Sequence, residues 1–118
     1  MAEQLAPYGI HHCGDNLHLF APLYAQTRAI FYDVGWGSDM ARVRAVLPRA
    51  FLNLRLSPVR MLNNTAQETR LDAHQLLQAA GRASNAGLCC INMDYGTPDE
   101  NVRAIFEAAR DFRAECQA

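Results

Sequence analysis

The sequence predicts an α/β fold built from four consecutive strand–helix units, and three observations lead to this prediction. Four short apolar segments alternate with segments whose apolar residues recur at helical spacing. No Asn-Gly pair of the kind that makes a tight hairpin joins one apolar segment to the next. Each unit has about 25 to 35 residues, which is typical of βα repeats. Together these features indicate a parallel sheet covered by helices.

Each predicted strand is a short apolar segment that ends at a glycine or at polar residues. The four strands are expected at residues 8–13, 29–34, 50–56 and 87–93. The third strand is followed by residues 59–64, which are expected to form a loop before the next helix.

Each predicted helix begins at a polar residue that can cap it. Asp15 or Asn16 can cap the first helix, which is expected to run to about Arg28, and Ser38 can cap the second. Two Thr-x-x-Glu sequences predict capping boxes at the last two helices, namely Thr65 with Glu68 and Thr97 with Glu100.

The composition limits the classes of function. The 118 residues are expected to form a single domain, residues 1–118, and half of them are apolar, so a core can be buried. The net charge of -1 gives no reason to expect nucleic acid or an anionic membrane as a partner. All eleven basic residues are arginines, which excludes a lysine Schiff base and a Walker-type phosphate lysine within this chain.

Cysteine usage favours a reducing compartment. No segment of the sequence is long and apolar enough to cross a bilayer. The four cysteines include the adjacent pair Cys89 and Cys90, which is a poor framework for disulfide bonds. We therefore expect a cytoplasmic protein with reduced thiols.

Residues that can bind a metal ion cluster where the predicted strands end, which is where function collects in parallel α/β folds. His11 and Cys13 are two residues apart on a strand, so their side chains point to the same side and can reach one ion. A third ligand, Cys90 or Cys89, would complete a catalytic zinc site with an open position. The alternative is that His11 is an ordinary polar residue and the paired cysteines are small core residues.

Other strand-end residues have two interpretations each. Asp33 can act as an acid at the rim of the sheet or can cap a loop. Arg55 and Arg60 can bind a carboxylate or phosphate, or can form surface salt bridges. Trp36, between two glycines, can be an aromatic lid or can pack over the end of the sheet.

Three segments resemble the superfamily of uroporphyrinogen decarboxylases and corrinoid-dependent methyltransferases. GIHHCGDN resembles the fifth-strand segment of the methyltransferases, in which a His-x-Cys-Gly motif supplies two zinc ligands. YDVGWGSDMARVRAVLP resembles their sixth-strand segment, and NMDYGTPDENVRAIFEAAR resembles their C-terminal signature. The similarity extends over residues 8–112. It implies that the four βα units are the C-terminal half of a TIM (β/α)8 barrel.

The resemblance implies zinc-assisted methyl transfer. His11, Cys13 and Cys90 would hold zinc, with a one-residue gap in the alignment bringing Cys90 to the third position, and Asp33 would be catalytic. The zinc would activate a thiol acceptor, and a separate corrinoid protein would supply the methyl group. Two alternatives are a decarboxylase relative acting on a tetrapyrrole and a non-catalytic half-barrel assembly module. The first is disfavoured because no histidine follows His74.

The half-barrel interpretation also predicts an assembly. Half a barrel leaves two sheet edges and one apolar face exposed. We expect that face to be built from Ile10, Phe31, Leu54 and Ile91 or their strand neighbours. The chain is therefore expected either to be a fragment that pairs with the N-terminal half of its barrel or to form a homo-oligomer.

Overall fold

A computed structural model shows an α/β fold with a four-stranded parallel sheet. It describes residues 7–117, so residues 1–6 and 118 of the predicted single domain lie outside the described residues. The strands are β1 (Tyr8–His12), β2 (Ala29–Val34), β3 (Phe51–Arg55) and β4 (Ala86–Cys89), and they lie in the order β1-β2-β3-β4. All neighbouring strands are parallel, as predicted. The fourth strand is shorter than expected and ends at Cys89.

Helices follow every strand. They are α1 (Leu17–Tyr24), α2 (Met40–Val46), α3 (Pro58–Asn63), α4 (Ala66–Ala80) and α5 (Asp99–Gln117). The expectation of a loop at residues 59–64 is wrong, because Ser57 accepts a hydrogen bond from the Arg60 amide and Pro58 begins the short helix α3. Within residues 7–117, none of the helices has the length and apolar character needed to cross a membrane.

The helix caps differ in part from the predicted ones. Asp39 caps α2 by accepting from the Arg42 amide, whereas Ser38 Oγ accepts from the Leu17 amide at 3.3 Å and so joins α1 to the loop after β2. Asn16 precedes α1, but its side chain makes no cap and bonds His12 instead.

Of the two predicted capping boxes, the structure contains the first. Thr65 Oγ1 accepts from the Glu68 amide, and Glu68 accepts from the Thr65 amide, both at 3.1 Å. The prediction for Thr97 and Glu100 is wrong, because the Thr97 hydroxyl donates to the Asp94 carbonyl at 2.8 Å and stabilises the turn before α5.

Replacing Thr65 by alanine is expected to destabilise the protein by about 1 kcal/mol, because the first turn of α4 loses its cap. Thr97→Ala is the matched control and should have a smaller effect, since its hydroxyl caps no helix amide. Urea unfolding of both variants measures the difference. A loss at Thr97 as large as that at Thr65 would contradict this account of the two helix starts.

The main core lies between one face of the sheet and the helices. Tyr32 and Val34 of β2 and Leu52 and Leu54 of β3 are buried there against residues of α1, α2, α4 and α5. Ile10 also packs against this core. The strand neighbours of Ile10 and Leu54, which the prediction allowed as the alternative, therefore occupy the open face, because the pleat directs Ile10 and Leu54 towards the helices.

The opposite face of the sheet carries the alternate residues. Gly9, Phe31 and Phe51 form one row across the first three strands, and the two phenyl rings stack at 5.5 Å with their planes 4° apart. Phe31 remains 36% exposed, which confirms its expected place on an open face. The next row along the strands carries the polar residues of the candidate site.

Helix α5 is attached to the end of the sheet that carries the site. It packs along α4, and its buried Asn101 donates from Nδ2 to the carbonyls of Met61 and Asn64, both at 2.8 Å. These two carbonyls lie at the C-terminal end of α3, where backbone acceptors lack helical partners. Asn101 therefore holds the start of α5 against α3 beyond the end of β3.

Candidate functional site

Strand register brings three polar residues together on the open face. His11 of β1 pairs in register with Asp33 of β2, which pairs with Asn53 of β3. Their side chains share one face because neighbouring positions of parallel strands point the same way. The next positions on this face lie two residues further along, towards the carboxyl end of the sheet. They are Cys13 after His11, Arg55 after Asn53, and Cys89, which pairs in register with Arg55.

A chain of hydrogen bonds crosses this row. His11 Nε2 lies 2.9 Å from Cys13 Sγ, and His11 Nδ1 lies 3.0 Å from Asp33 Oδ2. Asn53 Nδ2 donates to Asp33 Oδ1 at 2.8 Å and to Cys89 Sγ at 3.2 Å. The imidazole of His11 is thus held between a thiol and a carboxylate, and Asn53 links the carboxylate to the thiol on β4.

The side chains of the cluster stabilise one another's charged forms, which shifts the pKa of each. The hydrogen bond to Asp33, and then the one to Cys13, raises the pKa of His11. The hydrogen bond from His11, and then the Arg55 guanidinium, lowers the pKa of the Cys13 thiol. Burial alone would raise the pKa of Asp33, but its hydrogen bonds with Asn53 and His11 outweigh burial and lower it. The thiolate of Cys13 and the imidazolium of His11 are therefore both favoured.

The two adjacent cysteines occupy different environments. Cys89 contacts Asn53 on the face that carries His11 and Asp33, and burial raises the pKa of its thiol. Cys90 packs against the smaller core cluster that contains Met61 and Ala108, on the side covered by helices, and burial raises the pKa of its thiol as well. Of the two, Cys89 is the one that the structure brings to the His11 cluster.

The remaining candidate residues lie around this cluster. Asp33 is engaged by His11 and Asn53, a geometry that orients His11. Arg60 forms a two-point ion pair with Asp72, with distances of 2.8 and 2.9 Å, so its charge is already balanced. Trp36 is about half exposed and helps to line a cavity of about 470 Å³.

Two glycines bring the loops after β1 and β2 into contact. A Cβ at Gly35 would lie 1.9 Å from the carbonyl oxygen of Gly14, so only glycine fits at position 35. Gly14 has a φ of 93°, a conformation that favours glycine. This close approach sets the position of Cys13 relative to β2.

Asn53 is a residue of the candidate site that the sequence interpretation missed. It lies between Leu52 and Leu54 of β3, in which Arg55 is the other polar residue. A polar side chain alternating with buried leucines indicates the face opposite the core, and this signal could have identified it. His12, by contrast, faces the helices and bonds Tyr24 and Asn16, which is a structural role.

A metal ion would find a convergent pair of donors in this cluster. Within residues 7–117, no three His, Cys, Asp or Glu side chains are already arranged to hold a metal ion. The donors His11 and Cys13 nevertheless suit zinc, which binds imidazole nitrogen and thiolate sulfur. A scan against protein-family models and a search of the curated proteins both give no match for this chain.

Proposed function

We propose that the chain is the C-terminal half of a (β/α)8 barrel that uses zinc to activate a thiol acceptor for methyl transfer from a methylated corrinoid protein. The proposal rests on the resemblance in three sequence segments and on one geometric observation. That observation is the placement of His11 between Cys13, at 2.9 Å, and Asp33, at 3.0 Å. Free thiols suit a cytoplasmic protein.

The donor pair fits zinc after a small adjustment. Zinc bonds to histidine and cysteine of about 2.0 and 2.3 Å, set at a tetrahedral angle, separate nitrogen from sulfur by roughly 3.5 Å. The present separation of His11 Nε2 and Cys13 Sγ is 2.9 Å, and both side chains are exposed enough to move apart. Cys89 is our candidate for the third ligand in preference to Cys90, because its thiol shares the face of this pair.

Each residue of the site would have a distinct role around the ion. Zinc, when bound, would lower the pKa of an acceptor thiol. Asp33 would hold Nδ1 of His11 and so keep Nε2 directed at the ion, as carboxylates do behind zinc-bound histidines. Asn53 would hold Asp33 in place. The exposure of His11 and Cys13 would leave room for a corrinoid protein to approach.

A second candidate function follows from the same hydrogen bonds without metal. Cys13, His11 and Asp33 stand in the order of nucleophile, base and orienting acid that is found in cysteine-dependent enzymes. In this case Cys13 itself would attack an electrophilic carbon. Metal content separates this alternative from the zinc proposal.

The zinc proposal predicts about one zinc per chain in purified protein. Cys13→Ser should remove most of it, because the thiolate ligand is lost. Cys89→Ser should lower zinc content strongly, whereas Cys90→Ser should not. Elemental analysis by inductively coupled plasma mass spectrometry, after dialysis against zinc-containing and then zinc-free buffer, measures these contents.

Cys116→Ser is the matched control, since Cys116 is an exposed thiol at the end of α5. It should bind as much zinc as the unchanged protein. Equal zinc in the unchanged protein and the Cys13→Ser variant would rule out the proposed ligands. Metal-free protein whose Cys13 is selectively alkylated would favour the cysteine nucleophile.

A further inference from the structure

Arg55 carries a buried positive charge that lacks a carboxylate partner. Its side chain is at the end of β3 and the residue is 7% exposed. No carboxylate of residues 7–117 lies within ion-pair distance of its guanidinium, and its buried Nε has no hydrogen-bond partner. Folded proteins seldom leave a buried guanidinium unpaired, because burying an uncompensated charge is costly.

Other arginines of the chain have partners that Arg55 lacks. Arg60 pairs with Asp72 through two nitrogens, and Arg70 pairs with Glu107 and Asp111. The partly buried Arg44 donates to a set of backbone carbonyls. Arg55 differs from the remaining arginines of residues 7–117 without side-chain partners in being buried, since those are exposed to solvent.

Arg55 lies beside the residues of the candidate site. It lies close enough to Cys13 to lower the pKa of that thiol, and its charge also acts on Asp33 and Cys89. The cavity of about 470 Å³ that Arg55 helps to line lies towards α2 and α4 and also contains Asp39 and Asp72, so an oxyanion is expected on the side of Arg55 that faces Cys13 and not in that cavity. The neighbouring carboxylate, Asp33, is already engaged by His11 and Asn53.

We propose that Arg55 binds the oxyanion, a carboxylate or a phosphate, of a small acidic ligand and holds that ligand beside Cys13. A guanidinium presents its donors as a planar fork that matches two oxygens of such a group. An anion at this place would give the guanidinium the carboxylate or phosphate partner that it lacks. The proposal requires neither zinc nor a corrinoid, so it stands independently of the methyl-transfer function.

Two alkylating agents that differ in charge test this proposal on metal-free, chelator-treated protein. Iodoacetate carries a carboxylate and iodoacetamide is its neutral analogue. In both reactions the Cys13 thiolate forms a sulfur–carbon bond and iodide leaves. Dividing the iodoacetate rate by the iodoacetamide rate cancels the thiolate fraction, so the ratio reports how strongly positive charge beside the thiol attracts the carboxylate. Mass spectrometry of peptides measures the rate at each cysteine.

The exposed thiol of Cys116 is an internal reference on the same chain. We expect the rate ratio at Cys13 to exceed that at Cys116 by about tenfold, the factor given by one charge-assisted hydrogen bond. The iodoacetate rate at Cys13 should also saturate with reagent concentration, because binding precedes alkylation. Equal ratios at the two cysteines would overturn the proposal, and this comparison needs no variant to fold.

Variants and competitors add to the test. Arg55→Met should reduce the ratio at Cys13 towards the value at Cys116, with any remaining preference due to the His11 imidazolium, and Arg55→Lys should keep part of the preference because it retains the charge without the fork. Circular dichroism establishes that each variant is folded. Acetate and inorganic phosphate, added separately, should slow iodoacetate at Cys13, and the stronger competitor identifies the preferred oxyanion. A folded Arg55→Met protein with an unchanged ratio would overturn the proposal.

Discussion

Replacing Arg44 by methionine is expected to lower the free energy of unfolding by at least about 3 kcal/mol. Arg44 is in the last turn of α2 and is partly buried. Its Nε donates to the Ala80 carbonyl at 2.6 Å, and Nη1 donates to the Leu47 and Ala50 carbonyls at 3.0 and 2.8 Å. Its Nη2 donates to both oxygens of Asn85.

The physical reason for so large an effect is the number of acceptors that would be left without a donor. The carbonyls of Ala80 and Leu47 belong to the C-terminal ends of α4 and α2, where helical carbonyls lack partners and carry partial negative charge. Arg44 satisfies both and also joins the start of β3 to the turn before β4. Methionine retains much of the apolar stem but none of the donors, and hydrogen bonds to a charged group contribute about 1.5 to 3 kcal/mol each.

Arg42→Met is the matched control, since Arg42 is on the same helix but its side chain is exposed. It should change stability by less than about 0.5 kcal/mol. Urea denaturation followed by circular dichroism measures both variants. Similar stabilities for the two would mean that the carbonyls around Arg44 find other donors, and the role assigned to Arg44 would then be wrong.

The sequence predicted a strand well where an apolar segment ends at a residue that interrupts strands. The second strand was expected at residues 29–34 and is found there, because an aromatic and β-branched segment ends at Gly35. The fourth strand ends sooner than its apolar sequence suggests, because β3 pairs with it only as far as Cys89. Pairing length depends on the neighbouring strand, which no single segment reveals.

Helix starts were harder to predict because two capping sequences look alike. Thr65 and Thr97 are each followed three residues later by glutamate, yet only Thr65 forms the reciprocal bonds among the described residues. Residues 94–97 form a turn that uses the Thr97 hydroxyl, with Gly96 at a φ of 86°. The choice between turn and cap depends on how the chain enters α5, which is decided by tertiary packing.

Part of the candidate site followed from strand periodicity and part required the sheet register. The two-residue spacing predicted that His11 and Cys13 share a side, and their 2.9 Å separation confirms this. His11 lies opposite Asp33, and Asn53 lies diagonally across from Cys89, so both hydrogen bonds depend on the register between adjacent strands. Register is set by the whole core, so sequence spacing alone could not choose between Cys89 and Cys90.

The protein is expected to associate in solution at micromolar concentration. All the helices of the main core cover one face of the sheet, while Phe31 on the other face remains exposed. Within residues 7–117, β1 and β4 each pair with one neighbour, so each has one free edge. Parallel strands are generally covered on both faces, and free edges promote pairing with other chains.

Exposed apolar side chains lie near both free edges. Leu23 is 61% exposed on α1, whose residues Phe20 and Tyr24 contact His12 of β1. Phe106 is 72% exposed on α5, which contacts β4. A second half with its own strands and helices would cover these residues. The simplest closed arrangement is a two-fold dimer in which each edge strand pairs with the other edge strand of the partner.

Light scattering across a concentration series, together with thermal unfolding at the same concentrations, measures this association. We expect the mass of a dimer or larger species and a midpoint that rises with protein concentration, because association stabilises the folded chain. Leu23→Arg should weaken association about tenfold by placing a charge at the edge. Val59→Arg is the matched control, because Val59 is 62% exposed and lies on α3, which follows the end of the inner strand β3. A folded monomer with a concentration-independent midpoint would show that the open sheet is stable alone and would remove the case for a half-barrel that needs a partner.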